Sequence, residues 1–203
     1  MTRARSTFLA AAEAFVGQVG RIPLDRLTGP GLGDWDLRSL VGHTSRSLIT
    51  VETYLDQPAA EVAVPTASAY YLAIAESGGA SGPEVLERGR EAGLALGDDP
   101  VAFVRDLAAR VQEKLAPYDD GHVLTTIAGG MPLGEYLRTR IFELVVHGLD
   151  LERACGVAAG SGSDALVDAT TLAAEVAVLN DRGPELLLAL TGRAALPAGF
   201  SVV

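Results

Sequence analysis

The chain has few cysteines and histidines and no long uninterrupted apolar run. Its 203 residues include one cysteine, Cys155, so no disulfide can form within the chain and nothing points to an oxidising compartment. There are three histidines, His43, His122 and His147, so any imidazole ligand must come from very few positions. No apolar run reaches the roughly 18 uninterrupted residues that span a membrane.

Composition and charge narrow the class of protein further. The formal net charge of −10 argues against nucleic acid and against anionic membranes as partners. A hydrophobic share of 48% is ample for the core of one domain. The N-terminus resembles a signal peptide superficially, but Glu13 and Gln18 interrupt its apolar stretch, so we predict an amphipathic first helix and a cytoplasmic protein.

Apolar residues at helical spacing predict four main helices, at about 6–19, 36–58, 99–117 and 133–155. Asp36 and Asp99–Pro100 are start signals for the second and third helices. Shorter helices are expected at about 66–77, 83–96, 164–180 and 184–191, with a small hairpin within 122–131. These elements predict a mainly α four-helix bundle over 1–156. A helical extension over 157–203 would pack on the bundle without forming a complete second domain.

The predicted helix at 133–155 carries a charged stripe on an otherwise apolar surface. Arg140, Glu143, His147 and Asp150 follow at spacings of three, four and three, which places them within an arc of roughly 80°. A helix that is apolar almost all round belongs in a core, where charges are costly unless they are paired or bind a metal. The stripe therefore indicates an ion-paired cluster or a metal site.

His43 gives the metal interpretation a third donor. It lies on the apolar stripe of the second helix, three residues after Leu40, and should point inward. A lone inward histidine can equally be a core residue hydrogen-bonded to backbone, and Glu143 with His147 can be a simple i,i+4 couple. Together, two histidines and one glutamate give three protein ligands with an open position, as in catalytic zinc sites. The same donors suit iron or nickel.

Arg140 and Asp150 flank this predicted pair and have two interpretations each. They can simply neutralise Glu143 and each other. Alternatively, Asp150 accepts the free N–H of His147 and orients the ring, while Arg140 binds an anionic substrate or a thiol. His122 is interpreted as a loop residue. Cys155 lies about 12 Å along the helix from His147, too far to be a ligand.

Two segments carry a family resemblance. GDWDLRSLVGHTSRSL resembles the W-x-x-x-x-L-x-x-H helix, and RTRIFELVVHGLDLERA the R-x-x-E-x-x-x-H-x-x-D-L helix, of the mycothiol-dependent maleylpyruvate isomerase family. That family belongs to the DinB-like metal-binding four-helix bundles. The resemblance implies that His43, Glu143 and His147 bind a divalent metal, usually zinc. It also implies that the sulfur of mycothiol, the thiol cosubstrate, occupies the open position.

The implied activity is isomerisation, conjugation or S-transfer on a small electrophilic substrate. Characterised isomerases of this family also carry a C-terminal α/β domain, and the residues from 156 to 203 are too few for one. A non-catalytic metal- or ligand-binding bundle with a regulatory or stress-response role is therefore the alternative. The general acid or base is not identified, and a homodimer is compatible with the sequence.

Overall fold

The structure is a computed structural model that describes residues 2–77 and 83–203, without the side chains of residues 83 and 84. Its helices are α1 (Arg3–Val19), α2 (Leu37–Tyr54), α3 (Ala67–Glu76), α4 (Pro83–Ala95), α5 (Pro100–Leu115), α6 (Leu133–Cys155), α7 (Ser163–Leu179) and α8 (Gly183–Leu190). Strands β1 (Val123–Thr126) and β2 (Gly129–Pro132) form an antiparallel hairpin between α5 and α6. No helix within the described ranges is long and apolar enough to cross a membrane.

Four helices form the bundle. α1 and α2 each pack against both α5 and α6, which closes a ring of four around a shared core. Phe8, Leu40, Val104 and Leu137, one from each helix, are 0% exposed. The chain crosses from α2 to α5 through α3 and α4. The mainly α four-helix bundle predicted from the sequence is confirmed.

Polar caps set the starts of two bundle helices. The Asp36 carboxylate accepts a hydrogen bond from the Ser39 amide at 2.7 Å, and that of Asp99 accepts one from the Ala102 amide at 2.9 Å. α2 ends at Tyr54, earlier than the predicted end at Pro58, because the next residues pair with the hairpin. The Thr125 amide donates to the Gln57 carbonyl at 2.7 Å. This bond to the hairpin takes the place of the one that the carbonyl would accept in a longer helix.

Close backbone approach fixes α4 against α2, next to His43. A Cβ atom on Gly42 would lie 2.2 Å from the Gly93 backbone nitrogen, so only glycine permits this helix spacing. A Cβ atom on Gly89 would lie 2.4 Å from the indole of Trp35. Both contacts place the wall formed by Trp35 and α4 directly beside the middle of α2.

Polar contacts with α1 and with α7 also hold α6 in place. Gln18, 0% exposed, donates its amide nitrogen to the carbonyls of Gly148 and Val157, both at 2.9 Å. Arg138 pairs with Asp168 at 3.2 Å and with Glu175 at 3.1 Å, which joins α6 to α7. α8 has no buried residue. The division of the chain at residue 156 stays a prediction.

Candidate metal centre

The structure brings together the three residues that the sequence predicted as metal ligands. His43 lies in the middle of α2, and Glu143 and His147 lie one turn apart on α6, which packs against α2. One donor atom from each residue lies within 4.8 Å of the other two. Among the described residues, this is the one group of three or more histidine, cysteine or carboxylate side chains that meets that criterion.

Glu143 and His147 face each other through defined atoms. The Nε2 of His147 lies 3.3 Å from the Oε2 of Glu143. On the other side of the ring, the Nδ1 of His147 lies 3.1 Å from the Oδ2 of Asp150. A carboxylate acceptor at Nδ1 holds a proton there, so Nε2, which faces Glu143, is the nitrogen that can bind a metal once it is deprotonated. The role predicted for Asp150, to orient the His147 ring, requires this contact. The role itself stays a prediction.

His43 is held by aromatic packing. Its ring centroid lies 4.5 Å from that of Trp35 and 4.9 Å from that of His147, and the two imidazoles meet nearly edge to face at 83°. Trp35 is fixed in turn because its Nε1 donates to the Leu86 carbonyl at 2.9 Å. The Nδ1 of His43 is buried without a hydrogen-bond partner. This nitrogen therefore lacks the backbone hydrogen bond of the core histidine that was the alternative interpretation from sequence.

Arg140 lies in the core, one turn before Glu143. It is 9% exposed, and its guanidinium carbon lies 4.9 Å from the ring centroid of Tyr136 and 5.7 Å from that of Tyr70. Its Nε donates to the Thr139 hydroxyl at 3.0 Å. Its charge also stabilises the Glu143 carboxylate. These contacts favour the electrostatic interpretation of Arg140, while binding of a thiol or substrate stays a prediction.

Tyr71 is a site residue that the sequence did not reveal. Its hydroxyl donates to the Oε1 of Glu143 at 2.7 Å, so both carboxylate oxygens of Glu143 have partners. Burial, followed by the charge of Glu143, raises the pKa of Tyr71 well above its usual value of 10.0, and the phenol stays a donor. Tyr71 lies on the accessory helix α3, far from the ligands in sequence. The only signal in the sequence was the adjacent pair Tyr70 and Tyr71, which follows the cap residue Thr66.

The three donors differ in protonation before an ion binds. Burial and the charge of His147 lower the pKa of His43 to about 4. Burial alone would lower the pKa of His147, but its hydrogen bonds to Asp150 and Glu143 outweigh burial and raise it to about 9. Burial alone would raise the pKa of Glu143, yet His147 and Arg140 lower it to about 2. At neutral pH His147 is therefore the one donor of the three that must lose a proton before it can bind a metal.

These residues fit a divalent metal. The donor set of two imidazoles and one carboxylate is the kind that zinc, iron and nickel accept, and it leaves a position for a further ligand. The buried Nδ1 of His43 shows that protein groups do not fully satisfy this ring. The two residues that the sequence analysis excluded lie elsewhere: the ring centroid of His122 lies 4.5 Å from that of Tyr118, and the Cys155 thiol donates to the Leu151 carbonyl.

The fold and the donor set together define a DinB-like helical bundle with a candidate metal centre. The family model of the mycothiol maleylpyruvate isomerase N-terminal domain matches residues 7–152, and the chain belongs to this family. The match includes all three candidate ligands and the whole four-helix bundle except the ends of α1 and α6. No curated protein and no solved structure matches the chain significantly.

Proposed function

We propose that this protein is a divalent-metal-dependent enzyme that uses a low-molecular-weight thiol, mycothiol, on a small electrophilic substrate. The reaction class is isomerisation, conjugation or S-transfer, and zinc is the proposed metal, with nickel or iron as alternatives. The observation that carries the proposal is the convergence of His43, Glu143 and His147 within 4.8 Å. Membership of the mycothiol maleylpyruvate isomerase N-terminal domain family supports the choice of thiol.

Three protein donors favour a site that also accepts an exogenous ligand. Structural zinc sites use four protein ligands, whereas catalytic sites use three and keep one position for water or substrate. A divalent ion bound here would favour the thiolate form of a sulfur ligand, which is the nucleophilic form, near neutral pH. A thiolate can then add to an electrophilic carbon.

The charges around the site favour an anionic ligand. Glu143 and Asp150 are negative, while Arg140 and the imidazolium of His147 are positive, so these four groups sum to zero at neutral pH. Exchange of the His147 proton for a divalent ion would leave one excess positive charge. Uncompensated charge is costly in a poorly solvated site. A thiolate restores neutrality, and a neutral ligand does not.

Each residue of the site has one task in this proposal. His43 supplies a neutral imidazole, since its pKa of about 4 keeps it unprotonated at neutral pH. Asp150 holds one proton of His147 on Nδ1, so the proton lost on metal binding would be the one on Nε2, which would then direct its lone pair at the site. Glu143 acts as a ligand rather than as a general base. Arg140 stabilises the Glu143 carboxylate and remains the candidate contact for an anionic group on the thiol or substrate.

Cobalt substitution tests the proposal directly. Thiolate ligation of Co²⁺ gives intense charge-transfer absorption in the near ultraviolet, which oxygen and nitrogen ligands do not. We expect mycothiol to produce this band in cobalt-loaded protein, and we expect thiol-dependent turnover of an electrophile panel that is lost on chelation. His147→Ala should show neither signal. If mycothiol and other small thiols at millimolar concentration leave the cobalt spectrum unchanged, the non-catalytic metal-binding bundle becomes the better hypothesis.

A further inference from the structure

We propose that Tyr71 is a positioning residue, which holds one oxygen of Glu143 so that the other oxygen is presented to the metal. This inference rests on the proposed function, because it takes Glu143 to be a ligand. It assigns to α3, a helix outside the ligand-bearing pair α2 and α6, a direct part in shaping the site.

The hydrogen bond divides the two oxygens of the carboxylate. Oε1 accepts from the Tyr71 hydroxyl at 2.7 Å, while Oε2 lies 3.3 Å from the His147 Nε2. The oxygen beside His147 is therefore the one available to an ion shared with the imidazoles. A carboxylate without such a partner can rotate and bind an ion through both oxygens, as carboxylates commonly do. Tyr71 thus favours ligation through a single oxygen.

Packing fixes the phenol itself. The ring of Tyr71 meets that of Phe142 at a centroid distance of 5.2 Å and that of Tyr70 at 5.7 Å, both in edge-to-face geometry. The hydroxyl also lies 3.3 Å from the Thr139 carbonyl, one turn before Glu143 on α6. A side chain restrained in this way can hold a ligand at a defined angle rather than merely touch it.

α3 is anchored to the same helix that it would help to orient. The Ala67 amide, in the first turn of α3, donates to the Oε2 of Glu135 at 2.9 Å. The Thr66 hydroxyl caps the helix by accepting from the Ala69 amide at 3.1 Å. Glu135, Thr139 and Glu143 follow at intervals of four residues, so they form one row along α6, about 12 Å long. α3 contacts this row at all three positions, and Tyr71 contacts its end at the metal site.

The test compares two variants, each of which loses the hydroxyl of one tyrosine. Tyr71→Phe removes the contact with Glu143, and Tyr118→Phe removes a phenol whose ring packs on His122 instead. We expect cobalt to bind Tyr71→Phe about 10–100-fold more weakly than the unchanged protein, with one ion still bound per chain. The visible d–d bands of cobalt should also weaken and shift, because two-oxygen ligation raises the coordination number. Tyr118→Phe should match the unchanged protein in both respects.

The possible results separate this inference from the proposed function. Equal cobalt affinity and an identical d–d spectrum in folded Tyr71→Phe would overturn the role of Tyr71 and leave the metal site standing. Full cobalt binding by His147→Ala would overturn the metal site itself. If Tyr71→Phe does not fold, Thr66→Ala takes its place by loosening α3 without altering any ligand. It should weaken cobalt binding, and unchanged affinity despite faster hydrogen exchange in α3 would reject the inference.

Discussion

Metal binding should release close to one proton per ion, and its affinity should rise about tenfold for each pH unit in mildly acidic solution. His43, with a pKa of about 4, and Glu143, with a pKa of about 2, are already deprotonated above pH 5. His147, with a pKa of about 9, is protonated throughout that range. A ligand must lose its proton to bind a metal, so His147 alone should couple binding to pH.

The sign and size of the effect follow from the pKa of His147. Raising the pH favours the metal-binding form of His147, and the gain ends as the pH passes about 9, where the residue is neutral before binding. Between pH 5.5 and 7 the dissociation constant should fall about 30-fold, or about 2 kcal/mol at 1.36 kcal/mol for each pH unit. Zinc-bound water ionises near pH 7, so measurement below that value isolates the contribution of His147.

Calorimetry in two buffers with different ionisation enthalpies counts the released protons, and competition with a coloured chelator gives the affinity at each pH. His122→Ala should reproduce the behaviour of the unchanged protein, because His122 lies outside the cluster. An affinity that is flat between pH 5.5 and 7, or a proton count near zero, would refute the idea that His147 is a protonated ligand held between two carboxylates.

Two substitutions test the individual residues. His147→Ala should abolish the stoichiometry of one metal ion per chain, whereas His122→Ala should preserve it, and equal metal content in the two variants by elemental analysis would contradict the ligand set. Asp150→Asn should weaken metal binding about 10–100-fold without eliminating it, because the imidazole keeps its place but loses a charged acceptor. It should also reduce proton release, since the pKa of His147 falls, and unchanged affinity and proton count would show that Asp150 does not act through His147.

The candidate ligands were predictable because local spacing determines them. On α6, intervals of three and four residues put Glu143, His147 and Asp150 on one face whatever surrounds the helix. His43 followed from the apolar stripe of α2, and the family resemblance linked the two helices. The caps at Asp36 and Asp99 likewise depend on neighbouring amides only, so the starts of α2 and α5 were predicted correctly.

The rest of the site depends on contacts between distant segments, which one sequence does not encode in a readable way. Tyr71 reaches Glu143 across 72 positions, and Trp35 reaches His43 only because Gly89 leaves room for its indole. The environment of Arg140 was hidden for the same reason, because one of its two tyrosine neighbours comes from α3. The charge pattern of α6 predicted a cluster of charged side chains. The docking of α3 and α4 determines which other side chains contact that cluster.

The way in which the candidate ligands are held supports the proposal that a metal bound here would serve chemistry rather than folding. Each candidate ligand has its own protein support: Trp35 for His43, Tyr71 for Glu143, and Asp150 for His147. The helices that carry them are fixed by fully buried apolar side chains of the bundle and by the contact of Gln18 with α6. In small structural zinc domains the metal supplies the folding energy, and the unbound chain is unfolded. A bundle with its own core needs no such contribution, so three candidate ligands kept in place by a folded scaffold support the proposed function over a structural metal site.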